Sequence, residues 1–323
     1  MVFKRMAMAL VVSGSLCAGL DAVSEDFSKW IEGFKKIARH RDISSATLKL
    51  LDEVTLNERV IELDRKQPET LLSLHAYQSS RLKLLRAPAR KELQQHKKML
   101  LSLAQRYNVP AKYIVALWGM ESNFGRNMGG FDVLSSLVTL AFDDRRSEYF
   151  QEELLTLLIL IDSGKINQHK PVGSWAGAMG QCQFMPSSIQ DKAVDGDQDG
   201  EIDIWHSKAD ALASIANYLH KEGWNPKEKW GRPVQLPPNL DINLISLDQT
   251  MSLAQWSQKG VRSHDGSPLP TRSIQASLIR PDGPNKGKAF LVYSNFKILM
   301  KWNKSQRFGL TVSALADSLE GAS

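Results

Sequence analysis

The stretch Asn108-Val109-Pro110-Ala111-Lys112-Tyr113-Ile114-Val115-Ala116-Leu117-Trp118-Gly119-Met120-Glu121-Ser122-Asn123-Phe124-Gly125 decides how the rest of the chain is read. Asn108 followed by Pro110 predicts a helix start, because an Asn side chain caps free backbone N–H groups and proline fits a first turn. Ile114, Val115 and Trp118 then form an apolar face, and Gly125 predicts the end, which puts Glu121 in the last turn. Trp118, Met120 and Phe124 would desolvate its carboxyl, and the negative end of the helix dipole disfavours a further negative charge. Both effects favour a proton-bearing acid, the form a general acid needs. Spacing alone favours an exposed glutamate near a helix end, so the surrounding sequence has to decide.

Working outward, apolar residues recur at three and four from Ser24 to about Tyr107, as in Phe27, Trp30, Ile31, Phe34 and Ile37, then Leu93, Met99, Leu100 and Leu103. That period predicts helices. The nearly all-apolar run Leu154 to Ile161 predicts a helix buried at the centre of a domain. From Gly231 the composition shifts to Pro233, Pro237 and Pro238. Short runs follow, Ile242 to Leu247 and Ser273 to Ile279, separated by the turn pairs Asp265-Gly266 and Asp282-Gly283, so this part predicts a small β-rich piece. The helical period returns through Phe296, Ile298, Leu299 and Trp302, and again around Leu310 to Leu319. No internal repeat or low-complexity tract interrupts the chain.

The chain has 323 residues, 42% hydrophobic and 24% charged, which excludes a disordered chain and suffices for a substantial core. Lys4 and Arg5, the apolar stretch Met6 to Ala18 and the small residues Cys17, Ala18, Gly19 and Ala22 have the form of an export leader. The stretch is shorter than the roughly 20 residues a spanning helix needs. Cys17 raises the question of lipidation, but a lipidation signal wants a small residue just before the Cys and a large aliphatic two positions earlier, where Leu16 and Gly14 stand. Loss of the leader leaves Cys182 as the one cysteine, so packing, alone or with a bound metal, must stabilise the fold without an internal disulfide. The net charge of +6 falls to about +4 without Lys4 and Arg5, a mild excess that suits an anionic polymer or membrane surface and equally an ordinary solvated one.

The run from Trp118 to Gly125 resembles the catalytic motif of goose-lysozyme-like enzymes, and within them the lytic murein transglycosylases of the B type. A second run, Gly173-Ser174-Trp175-Ala176-Gly177-Ala178-Met179-Gly180-Gln181-Cys182-Gln183-Phe184-Met185-Pro186-Ser187-Ser188, resembles that family's substrate-groove loop. Two such motifs in order are far more specific than one. Gly and Ala let backbone approach a ligand, and Ser174 and Gln183 offer hydrogen bonds to hydroxyl and acetamido groups; Phe184 and Met185 belong to the same loop. Ala216-Asn217-Tyr218-Leu219 and Lys301-Trp302-Asn303 match positions where the family places groove residues, which implies roles for Tyr218, Trp302 and Asn303. Many members have Tyr where Trp302 stands, which keeps a stacking face but puts a hydrogen bond in question. Tyr77 is read either as a further groove aromatic or as ordinary helix packing.

Asp195, Asp197 and Asp199 alternate before Gly200, matching the start of an EF-hand loop, in which Glu201 would supply a backbone carbonyl and Asp203 stands at the ninth position. The twelfth position is His206 where a Glu is wanted. The resemblance implies an enlarged loop, residues 195–210, with Asp210 completing a structural Ca2+ site. The competing reading has Ser207 capping the next helix and Asp210 finishing a capping box.

Ordinary glycosidases use two carboxyl groups, and no second acid pairs obviously with Glu121. Asp132 lies downstream, and Asp143-Asp144-Arg145-Arg146 reads as a charged approach to a helix. The resemblance implies a single-acid route. Glu121 protonates the oxygen between N-acetylmuramic acid and N-acetylglucosamine, then deprotonates the muramyl C6 hydroxyl, which closes a 1,6-anhydro ring without a catalytic cofactor. The alternatives are a hydrolytic muramidase, a noncatalytic peptidoglycan-binding protein and a calcium-dependent interaction module.

The expected fold is α+β, mainly α: a leader over 1–22, an N-terminal helical domain over 23–105 and a lysozyme-like core over 106–229. A small β-rich insertion over 230–290 and C-terminal helices over 291–323 complete it. A monomeric periplasmic protein acting on peptidoglycan glycan strands is expected, with peripheral or lipid-anchored membrane association left open and no nucleic acid as partner.

Overall fold

The computed structural model describes residues 15–66, 72–166 and 171–321, with side chains from residue 25 onward. The leader assigned to 1–22 lies outside the described residues up to residue 14. The chain runs through α1 (Ser15–Arg39), α2 (Ser45–Leu48), α3 (Glu58–Arg65), α4 (Leu74–Gln95), α5 (Lys97–Tyr107) and α6 (Ala111–Ser122). A two-residue strand β1 (Phe131–Asp132) leads into α7 (Val133–Phe142) and α8 (Ser147–Asp162), then β2 (Val172–Gly173), α9 (Pro186–Lys192) and α10 (Lys208–Lys221). The remainder is β3 (Gly231–Gln235), β4 (Ser246–Ser252), α11 (Leu253–Gln258), β5 (Arg262–Ser263), β6 (Gln275–Ile279), β7 (Ala289–Val292), α12 (Ser294–Trp302) and α13 (Gln306–Asp317). No described helix is long and apolar enough to cross a membrane.

α6 is buried on every side from Tyr113 to Met120, as a helix that is apolar all round must be. It is packed by α4, α5, α10 and α13. Its start corrects the sequence reading: Pro110 is the residue before the helix, and Asn108 instead ends α5 in a left-handed conformation, φ 58°. Asn serves there because its short polar side chain tolerates the left-handed region. α8 is the buried central helix expected from its sequence, with Leu154, Leu155, Leu157, Leu158, Leu160 and Ile161 all in the core.

The N-terminal helices share this core and are clamped to it by polar contacts. Asp162, at the end of α8, accepts hydrogen bonds from the Ser44 backbone N–H at 3.3 Å and from the Thr47 hydroxyl at 2.5 Å. Phe27 and Trp30 set their rings against the ring of Phe142 at 5.3 and 5.8 Å. Asp64 on α3 is only 4% exposed. It receives Arg145 through Nε at 2.7 Å and Nη2 at 3.0 Å, and it also receives Arg146. The charged approach to α8 is therefore a docking site for α3.

The β-rich piece is a five-stranded antiparallel sheet of order β4-β6-β7-β3-β5. It carries a second core around Leu253, Trp256, Leu278 and Leu291, with the Trp256 indole N–H on the Ala276 carbonyl at 2.9 Å. Its turn at Asp282 reaches the helical body, where Asp282 Oδ1 accepts the Leu74 N–H at 2.7 Å and caps the start of α4. α4 carries Pro88 inside it, which removes one backbone bond and leaves the Leu84 carbonyl without its helical partner.

Replacing Asp64 with Ala is expected to lower stability by about 2 kcal/mol in urea unfolding. That is less than the loss for a fully buried pair, because Arg145 and Arg146 are half exposed and rehydrate.

Candidate active site

α6 ends in an unusual way. Asn123, Phe124 and Gly125 take φ of 49°, 61° and 79°, three successive left-handed residues. The first two tolerate the strain because the turn is held from both sides. Ser122 Oγ accepts the Gly125 N–H at 2.9 Å and donates to the Gln181 carbonyl at 2.7 Å. Gly125 is required: a Cβ there would lie 2.6 Å from Gln181 Oε1. That same oxygen accepts the indole N–H of Trp118 at 3.0 Å, while the Gln181 amide donates to the Trp205 carbonyl at 3.0 Å. Gln181 thus joins the two sequence motifs through a buried amide whose acceptor and donor are both used.

This corrects the expected surroundings of Glu121. Trp118 is wholly buried and directed at Gln181, and Phe124 folds back over Gly119 to set its ring edge-on to Trp118 at 5.3 Å. Of the three expected apolar neighbours, Met120 lines the cavity with Glu121. The aromatic group on the acid comes from the far end of the chain: Trp302 Nε1 donates to Glu121 Oε1 at 2.6 Å. An indole N–H can only donate. Oε1 is therefore held as an acceptor, which favours Oε2 as the oxygen that carries the acid's proton.

Glu121 is half-buried in a cavity of about 430 Å3 lined by Arg81, Leu84, Leu85, Pro88, Gly119, Met120, Asn123, Arg126 and Asn127. Among these described lining residues Glu121 is the one carboxylic acid. Asp132 caps α7 through Ser135 N at 2.9 Å, and Asp143 faces Arg65 at 3.3 Å. Behind Trp302 lie Tyr218 and Phe184, with ring centroids 4.6 and 5.3 Å from it. Burial pushes the Tyr218 phenol up to about 12, so it stays a neutral donor. Lys192 and Lys301 bracket Glu222 at 2.8 and 2.9 Å and hold its carboxyl below the usual range. Cys182 is buried, and burial, then the charge of Glu121, raise its thiol far above the ordinary value, which makes it an inert core residue.

The loop from Gly173 to Met185 is knitted by short antiparallel bridges, Gly173 to Met179 and Met179 to Phe184. Its glycines face protein where open groove was expected, because a Cβ on Gly173, Gly177 or Gly180 would meet Ala178 O at 2.3 Å, Leu137 Cδ2 at 2.5 Å or Ile204 Cγ1 at 2.7 Å. Ser174 Oγ accepts the Ala176 and Ala178 N–H groups at 3.3 and 3.0 Å, leaving its own O–H to donate. The Gln183 amide is spent on the Met128 and Gly180 carbonyls. Met185 is half-buried ahead of α9, and Asn303 Oδ1 accepts the Ser305 N–H at 3.0 Å after α12. Tyr77 is 3% exposed and packs under Arg81, whose Cζ stands 5.1 Å from the ring centroid; it does not line the cavity. Sequence reading missed Gln181 and Ser122 as site-building residues, although both lie inside the quoted motifs.

In the acidic loop, Asp195, Asp197 and Asp210 bring carboxylate oxygens within 4.8 Å of one another. That span matches two oxygens on opposite sides of a cation at about 2.4 Å, so these three residues fit Ca2+. Asp199 turns away to accept the Glu201 N–H at 2.9 Å, and both are exposed. Asp210 is 1% exposed, and burial, then the charges of Asp197 and Asp195, raise its carboxyl. The capping reading holds by half. Ser207 Oγ accepts the Asp210 N–H, whereas the Asp210 carboxylate turns to the N–H groups of Gly196 and Asp203, each at 2.7 Å.

A mainly helical, lysozyme-like frame built round a single helix-terminal carboxylic acid defines the class of protein. The chain belongs to the family of the transglycosylase SLT domain, whose model matches residues 26–317. It is 33% identical over 221 residues to membrane-bound lytic murein transglycosylase B of Escherichia coli (strain K12). That stretch is 67% of this chain and 58% of the relative, so the match spans little more than half of the relative's length. Among solved structures it is similar to SltB3 from Pseudomonas aeruginosa in complex with NAG-anhNAM-pentapeptide, with TM-score 0.84 and 41% identity, covering 91% of this chain and 80% of that one. It is also similar to the Escherichia coli lytic transglycosylase Slt35 in complex with calcium, with TM-score 0.75 and 28% identity, covering 90% and 92%.

Replacing Gln181 with Leu is expected to cost about 3 kcal/mol in urea unfolding, because it strands the Trp118 N–H and the Trp205 carbonyl in a buried place.

Proposed function

We propose that the protein is a lytic murein transglycosylase that cleaves the β-1,4 bond between N-acetylmuramic acid and N-acetylglucosamine in peptidoglycan and leaves 1,6-anhydromuramic acid ends. The observation that carries this reading is Glu121, with Trp302 on its Oε1 and no other acid among the described residues that line its cavity. A glycosidase that activates water or forms a covalent intermediate needs a second carboxylate about 5 to 10 Å away.

Glu121 Oε2 gives its proton to the glycosidic oxygen as the bond from C1 to that oxygen breaks. The resulting carboxylate, steadied by the Trp302 N–H, takes the proton of the muramyl C6 hydroxyl. The C6 oxygen then bonds to C1, which closes the anhydro ring and restores the acid. The attacking group belongs to the substrate, so its high effective concentration replaces a bound water and its base. Trp302, backed by the buried rings of Tyr218 and Phe184, would present the aromatic face against which a sugar ring rests, and Ser174, Met185 and Asn303 would serve as further contacts to it. The relatives' complexes with NAG-anhNAM-pentapeptide and NAG-NAM-pentapeptide support a peptidoglycan substrate.

Asp195, Asp197 and Asp210 would hold a structural Ca2+, which supplies positive charge to three converging carboxylates and ties the loop to the start of α10; the calcium complex of Slt35 supports this. Residues 1–22 act as an export leader that brings the protein to the periplasm, where its polymer lies. The segments 23–105, 106–229, 230–290 and 291–323 serve as its working divisions.

Glu121→Gln is expected to abolish release of anhydro-muropeptides from purified sacculi, read by mass spectrometry, with an unchanged melting temperature. Reducing muramyl ends from the unaltered protein would instead make it a hydrolase. Trp302→Phe, which keeps a ring and loses the N–H, is expected to lower kcat about tenfold with little change in KM, since one charge-assisted bond is lost. Adding Ca2+ at about a hundredfold excess over Kd to chelator-treated protein is expected to raise Tm by roughly 5 °C, and Asp210→Asn removes that rise.

A further inference from the structure

The cavity that holds Glu121 carries more positive charge than acid catalysis on a sugar requires. Its charged lining is Arg81, Arg126 and the acid itself. Arg126 is built into place: Nη1 donates to the Asn123 carbonyl at 3.1 Å, Nη2 donates to Glu92 Oε1 at 3.0 Å, and the guanidinium stands 5.7 Å from the Phe124 ring centroid. Those contacts use two of its five N–H donors, and the side chain remains 53% exposed. Glu92 is 3% exposed and is shared, because its other oxygen lies 3.3 Å from His96 Nε2 and 3.9 Å from Lys208 Nζ. A buried carboxylate is costly, and this one holds a cation at the rim of the acid's cavity while leaving part of that cation's charge unmatched.

The alternating sugars of a peptidoglycan strand are themselves uncharged. Negative charge on the muramyl residue resides in its C3 substituent: in the carboxylates of an attached peptide, or in the lactyl carboxylate when the peptide is gone. Resting on the reading of Glu121 as the glycan-cleaving acid, we propose that Arg126, seconded by Arg81, binds a carboxylate on the muramyl substituent. The protein therefore reads the substituent as well as the sugar chain. A guanidinium suits this task, since its planar fork pairs two N–H groups with two carboxylate oxygens.

The test compares kcat/KM on three strand preparations: peptide-bearing strands, strands stripped by an amidase to the free lactyl carboxylate, and stripped strands whose lactyl group is converted to a neutral methylamide. The unaltered protein is expected to cleave the neutral strands about tenfold less efficiently than the better of the two charged forms, the loss appropriate to one charge-assisted contact. Whichever charged form is better identifies the carboxylate that is read. Arg126→Gln is expected to bring that ratio to within about twofold of unity, and Arg126→Lys to keep part of it. For the unaltered protein, raising salt from about 50 to 500 mM is expected to narrow the ratio, a readout that does not depend on any variant folding. Equal cleavage of all three preparations, or a ratio that survives in a folded Arg126→Gln protein, overturns the proposal and leaves the reading of Glu121 standing. Cleavage of none overturns both.

Discussion

A helix buried on all sides has to end somewhere, and in this protein the place where α6 runs out is where the chemistry sits. Nine of its residues from Ala111 to Met120 are locked in the core, so the last turn cannot shift without disturbing α4, α5, α10 and α13 together. Three left-handed residues then reverse the chain within one turn, and the Gln181 amide pins the reversal by bonding Trp118 on one side and Trp205 on the other. Glu121 inherits its position from this arrangement. A side chain on a rigid element, set by packing and buried hydrogen bonds, is the kind of placement that positions a catalytic group.

The rest of the site is assembled from distant parts of the chain around that fixed point. Trp302 comes from α12, 181 residues further along, and its N–H selects which oxygen of the acid accepts. Tyr218 comes from α10 and Phe184 from the groove loop, and the three rings pack on one another, so each restrains the next. The wall of α4 that carries Leu84, Leu85 and Pro88 closes the cavity from the N-terminal side, and α4 is itself tied at its start to Asp282 of the β-rich piece. Through these links the β-rich insertion and the N-terminal helices both bear on the geometry of one carboxyl group.

Charge is used sparingly and close to the site. Glu92, buried behind Trp118, faces Arg126, His96 and Lys208. Glu222 is bracketed by Lys192 and Lys301 beside the aromatic wall. The acidic loop gathers Asp195, Asp197 and Asp210 at the foot of α10, the helix that presents Tyr218. Each is a local balance between carboxylates, of which Glu92 and Asp210 are buried, and neighbouring positive charge or backbone N–H groups.

The amino-acid sequence by itself determined that α6 is a helix with an apolar face and α8 a buried one, that the segment after Gly231 forms strands, and that Glu121 stands in a last turn before a glycine. Period, composition and chain-breaking residues are local properties, and local properties are legible in order along the chain. It also carried the two motifs by which the family is recognised. Only tertiary structure decided that Asn108 closes one helix and does not open the next, that Trp118 turns to Gln181, and that Trp302 supplies the aromatic neighbour of the acid. It also decided that, of the expected calcium ligands, Asp195, Asp197 and Asp210 converge while Asp199 turns away. These outcomes depend on which distant surfaces meet and which buried donors must find acceptors, and that competition is settled when the whole core packs.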